Sequence, residues 1–154
     1  MSKWIATFFG IGLIPVAPGT FGALAALPGW WALTIIGGWP LVLLGVIVAY
    51  VSGVWATGIE TAGAANHDPS EIVIDEVAGQ WLALLPISVG LGVGGLSGVV
   101  LAFALFRFFD ITKLGPVGWA DRLDTPTGVM LDDIFAGLIS AIILTLIGFI
   151  WSNV

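Results

Sequence analysis

Two pairs of adjacent carboxylates interrupt apolar sequence: Asp75 and Glu76 in EIVIDEVAGQWLALLP, and Asp132 and Asp133 in GVMLDDIFAGLISAIILTLIGFIW. An ionised carboxylate at membrane depth costs about 2.5–3.5 kcal/mol on insertion scales, and two neighbours also repel. One Asp would complement the N-terminal end of a helix macrodipole, worth roughly 0.3–1 kcal/mol. Helix capping therefore accounts for the position of each pair and not for the pairing. Asp110, closing the apolar stretch VVLAFALFRFFD, poses the same problem.

Carboxylates gathered at one depth, in a chain with no cysteine and one histidine, suit a hard cation. Mg²⁺ takes oxygen ligands, keeps several waters and commonly shares its sphere with a substrate phosphate. Zinc is disfavoured by the shortage of nitrogen and sulfur donors. Arg107 and Lys113 flank Asp110 in FRFFDITK. Phosphate oxygens beside a metal want such cations, and the same residues would serve as positive-inside anchors. In GLIPVAPGTFG, proline-set turns, backbone donors and the Thr20 hydroxyl form a segment that could bind phosphate or make a re-entrant turn. His67, in NHDPSE, reads as a solvated loop residue.

These residues must be positioned by a membrane protein. The 154 residues are 58% hydrophobic and 9% charged, against roughly 25% charged in soluble domains. A single all-α domain, 1–154, is expected, with four or five transmembrane or re-entrant helices. A spanning helix needs about 20 apolar residues. Leu41 to Ile59 and Val129 to Trp151 meet this, the latter apart from its aspartates. Phe21 to Ile36 carries Pro28 and reads as a short, kinked or re-entrant span. Ile72 to Phe108 holds two spans, broken around Pro86 to Gly95. Glu60 to Glu71 and Phe109 to Gly128 read as polar loops. Three of the four basic residues lie between Arg107 and Arg122, which places that loop in the cytoplasm by the positive-inside bias. The N-terminal apolar run is broken by Gly10, Gly12, Pro15 and Pro18, a poor signal-peptide core.

Two rows of small residues, Gly45/Ala49/Gly53 and Gly90/Gly94/Gly98, are spaced for close helix packing. IVIDEVAG and VMLDDIFAG echo one another. Asp75 and Gly79 are four apart, as are Asp133 and Gly137, so each pair shares a helix face. If the glycines mark a crossing, the carboxylates meet across it.

Several chemistries are excluded. A net charge of −6 argues against nucleic-acid binding, which needs a basic surface. The lack of cysteine removes thiol phosphatases, and one histidine cannot build a two-histidine phosphatase site. No DxDx[TV] motif is present for aspartyl phosphorylation of the haloacid-dehalogenase type. Metal-assisted hydrolysis by carboxylates remains.

Taken together and in this order, GIGLIPVAPGTFGAL, HDPSEIVIDEVAGQW, FRFFDITK and GVMLDDIFAG resemble the phosphatidylglycerophosphatase A family over residues 6 to 140. The resemblance implies a bacterial inner-membrane, Mg²⁺-dependent lipid phosphatase that converts phosphatidylglycerophosphate to phosphatidylglycerol, a cardiolipin precursor. It implies catalytic Asp75, Glu76, Asp110, Lys113, Asp132 and Asp133, with Asp68, Asp75, Glu76, Asp132 and Asp133 as metal ligands. Arg107, Lys113, Gly19 and Thr20 would bind substrate, in a motif that includes Pro18. Asp110 would ligate metal or act as general base. The chain departs from the family at Lys113-Leu114-Gly115-Pro116, where KPWP is usual. It departs again at Thr125-Pro126-Thr127, where a glycine pair is usual.

A small cation transporter or channel is the rival reading, because acidic residues in spans often mark ion pathways and the echo could be an internal repeat. The cations beside the acids and the position of the acids near helix ends argue against it.

Overall fold

The computed structural model describes residues 1–63 and 69–153. Asp68 and His67 lie outside the described residues, so neither expectation about them is addressed. The described chain is all-α, with helices α1 (Ser2–Ala6), α2 (Pro18–Glu60), α3 (Ile74–Val89), α4 (Gly95–Thr112), α5 (Pro116–Asp121) and α6 (Pro126–Ser152). A single 3₁₀ turn, Ile11–Leu13, follows α1. Three of these, α2, α4 and α6, are long and apolar enough to cross a membrane.

Helix α2 is two arms joined at Gly38, which adopts φ 65°, ψ −160°. Pro40 lacks an N–H and disfavours helical backbone at Trp39, and Gly38 supplies the positive φ that the reversal needs. The segment read as a short, kinked or re-entrant span is the first arm, a helix that runs from Pro18 through Pro28 without interruption. The polar loop expected over 109–128 instead holds the end of α4, all of α5 and the start of α6. The Thr125-Pro126 departure is a helix start. Thr125 is the N-cap and its hydroxyl accepts from Gly128 N–H at 3.0 Å, with Pro126 in the first turn, where its missing donor is harmless.

Helix α3 is the shorter centrepiece, packed mainly against α2 and α6. Two indoles lace it to the first arm of α2: Trp81 Nε1 donates to the Ala26 carbonyl at 2.7 Å and Trp30 Nε1 to Ser88 Oγ at 2.8 Å. Small residues let the helices close. A Cβ on Gly53 would press on Met130 and Ile74, and one on Gly45 on Leu33 and Trp81. The first small-residue row is thus a packing face. The second is not, because Gly90 and Gly94 sit in the α3–α4 connection with open space beside them.

The distribution of polarity is inverted relative to a soluble globule. Asp133 and Asp132 are 2% and 5% exposed, whereas Ile142, Leu146 and Phe149 on the same helix are 52%, 57% and 69% exposed. Large apolar side chains cover the outside of α2 and α6, while Asp75, Asp110, Asp132 and Asp133 lie inside.

Candidate active site

The anticipated crossing exists. A Cβ on Gly137 would collide with the Gly79 carbonyl, and one on Gly79 would meet the Asp133 carbonyl at 2.5 Å. With no side chain on either glycine, the α3 and α6 backbones touch. One turn before each glycine stand Asp75 and Asp133, and the contact brings their carboxylates onto a common cavity.

That cavity, about 290 Å³, is lined by Asp75, Glu76, Asp110, Asp132, Asp133, Arg107, Lys113, Pro18, Gly19, Ser70, Ile72 and Ile111. Five carboxylates and two cations from α3, α4 with its C-cap, and α6 thus converge, and the α2 N-terminus closes the cavity. The two pairs reach it differently. Asp75 and Glu76 occupy the first turn of α3, where the helix N-terminus favours negative charge. Asp132 and Asp133 lie further inside α6, beyond the reach of that effect. Helix capping therefore describes the first pair and fails for the second.

The cations are held by specific contacts. Arg107 Nη1 lies 2.5 Å from Asp110 Oδ2 and 3.9 Å from Glu76 Oε1. The Asp110 contact is ionic and lacks the alignment of a hydrogen bond. Lys113 Nζ donates to Asp110 Oδ1 at 3.0 Å and Asp132 Oδ2 at 2.5 Å, and faces Asp121 at 3.5 Å. Lys113 is the left-handed C-cap of α4 (φ 49°), which turns its side chain back over the helix end toward these acids. Partial burial pulls its ammonium down, but Asp110 and Asp132 outweigh it and raise the pKa above the ordinary 10.5.

Gly19 and Thr20, expected in a loop, are instead in the first turn of α2. Thr20 Oγ1 accepts from Arg107 Nη2 at 3.5 Å, and a Cβ on Gly19 would collide with Glu76 Oε1. Glycine here lets the α2 N-terminus approach the Glu76 carboxylate closely.

Among the cavity carboxylates, Glu76 Oε2 and Asp133 Oδ1 are buried and accept no hydrogen bond from the described residues. Their surroundings fit a hard cation. One carboxylate oxygen each from Asp75, Glu76 and Asp133 lie within 4.8 Å of one another, as do one each from Asp110, Asp132 and Asp133. Both sets contain only oxygen donors, suited to Mg²⁺ in kind, and Asp133 belongs to both. Sequence reasoning missed Gln80, which is fully buried one turn beyond Glu76. A polar residue inside VAGQWLALL was the available signal.

The phosphatidylglycerophosphatase A family model matches residues 4–148. The chain belongs to the phosphatidylglycerophosphatase A family. It is 38% identical over 148 residues to Phosphatidylglycerophosphatase A of Escherichia coli (strain K12), covering 96% of this chain and 83% of that one. The Haemophilus influenzae protein of the same name is 37% identical over 149 residues, covering 90% and 83%. A Bacteroides thetaiotaomicron protein bearing the proposed name phosphatidylinositol-3-phosphatase is 37% identical over 145 residues, covering 91% and 89%. No solved structure matches the chain.

Proposed function

We propose that the protein is a multi-pass bacterial membrane enzyme that hydrolyses the terminal phosphate monoester of phosphatidylglycerophosphate, using Mg²⁺ at the carboxylate cavity. The observation that carries this reading is the convergence of five buried or half-buried carboxylates with Arg107 and Lys113 on one cavity. Family membership supplies the reaction class, a phosphoric monoester hydrolase. The apolar exterior of α2 and α6 suits a lipid surround. Acyl chains would remain in the bilayer while the headgroup reaches the cavity at the interface.

Asp75, Glu76, Asp132 and Asp133 would hold the metal. When bound, the ion would acidify water and neutralise phosphate charge. Asp110 positions the two cations: with Arg107 on one oxygen and Lys113 on the other, it holds both at the cavity wall. These cations, with Gly19 and Thr20 at the α2 N-terminus, would receive the non-bridging phosphate oxygens. In the net reaction water adds to phosphorus and the ester P–O bond breaks. The proton lost by water ends on the lipid alcohol, giving phosphatidylglycerol and inorganic phosphate. That product would feed phospholipid synthesis, including cardiolipin.

Ser70 and Lys113, from the 61–73 and 113–125 connections, line the same cavity. The chain just before α3 and just after α4 therefore lies at one end of the bundle, and the basic residues there favour the cytoplasmic side. Nothing among the described residues favours cation transport.

The test is phosphate release from vesicles containing phosphatidylglycerophosphate or phosphatidylinositol-3-phosphate. Faster turnover of the former supports the assignment. Turnover of the latter alone would move the substrate to the inositol lipid. Turnover of neither by folded protein would contradict the reading.

A further inference from the structure

Gln80 is fully buried, and neither its amide nitrogen nor its amide oxygen has a hydrogen-bond partner. Leaving such groups unmatched costs about 1–3 kcal/mol each. The neighbourhood explains what the amide does. Gln80 follows Glu76 by four residues on α3, so the two share a face. Helical side chains lean toward the N-terminus, which carries the amide back toward the Glu76 turn. Glu76 Oε2 is buried and unpartnered as well, and so is Arg107 Nε, on the guanidinium whose Nη1 lies 3.9 Å from Glu76 Oε1. Phe106, next to Arg107, packs where a Cβ on Gly79 would fall, so α4 faces this part of α3.

Three donors, Gln80 Nε2, Arg107 Nε and Arg107 Nη1, and two acceptors, Glu76 Oε2 and Gln80 Oε1, are therefore left without a hydrogen-bond partner on this side of α3 and α4. Internal waters settle where two to four polar partners converge.

We propose that Gln80 is a positioning residue, holding the Glu76 carboxylate in place through an internal water shared with Arg107. The proposal rests on the phosphatase reading. It assigns Gln80 no contact with substrate. Its task is to fix the orientation of Glu76 from the core side, as outer-shell partners do for ligating carboxylates.

The test uses Gln80→Met, close in shape but without the amide, and Gln80→Leu as a second shape. Both are compared with wild type in detergent for kcat, KM and melting temperature, the last with EDTA and with Mg²⁺. The expected result is a kcat lower by about 10- to 100-fold, with KM little changed. Melting in EDTA should change little, because the desolvation cost of the amide is removed together with its water-mediated bonds. The rise in melting temperature on adding Mg²⁺ should shrink in both variants. A kcat within about twofold of wild type would overturn the proposal. So would a parallel loss of kcat and of metal-free stability in both variants, which marks a packing role. An inactive wild type would instead count against the phosphatase reading itself.

Discussion

At the residue scale, the identity of the acids is explained by what each touches. Asp110 and Asp132 are neutralised by Arg107 and Lys113, whereas Asp133 and Glu76 each keep an unpartnered buried oxygen. Asp133→Asn should therefore reduce phosphate release by roughly 10²–10³-fold, the scale of losing one well-placed electrostatic group. It should not lower the metal-free melting temperature, because it relieves repulsion among Asp75, Asp110 and Asp132. Steady-state kinetics and thermal melting in EDTA check both halves. Lys113 makes a pH prediction. Its folded pKa is raised above 10.5, so its stabilisation is complete below that value and fades only as pH rises beyond it. The stability difference between wild type and Lys113→Met should be flat from about pH 6 to 9 and narrow in stronger alkali. Chemical denaturation across that range measures it. The acids and cations were legible in the sequence because charge inside apolar sequence is conspicuous. Gln80 was not, since an uncharged amide carries a weaker signal.

At the element scale, the site depends on two glycine devices. The Gly79–Gly137 contact was foreshadowed by the acidic-pair echo, because a four-residue spacing fixes a shared helix face. Gly137→Val should force α6 away from the Gly79 carbonyl. A stability loss of about 1–3 kcal/mol and a loss of activity should appear together, as the carboxylates part. Gly38 is the contrasting case, since it sits at the α2 break away from the cavity-lining residues. Its backbone conformation is nearly restricted to glycine, so Gly38→Ala should cost about 1–3 kcal/mol while residual folded enzyme keeps its kcat. Melting and specific activity per folded molecule separate the two. Helix periodicity could not show that Pro28 would be tolerated, nor that Gly90 and Gly94 would leave the helices. Those outcomes depend on tertiary packing and on local turns.

At the scale of the whole molecule, the fold is a lipid-compatible shell around a charged interior. Ile142, Leu146 and Phe149 face outward while Asp132 and Asp133 of the same helix face inward. Composition made a membrane class legible, because 9% charged residues fall far below the roughly 25% of soluble domains, and apolar runs of about 20 residues made it all-α. The meeting of four elements on one cavity was not legible, since contact between distant segments has no local signature. The most direct test of the central claim is inorganic phosphate release from phosphatidylglycerophosphate by purified protein in detergent. It would be run with Mg²⁺, with EDTA, and with Asp75→Asn. The account predicts release that needs the metal and collapses in the variant. Release that persists in EDTA, or survives intact in Asp75→Asn, would contradict a carboxylate-held metal as the seat of catalysis.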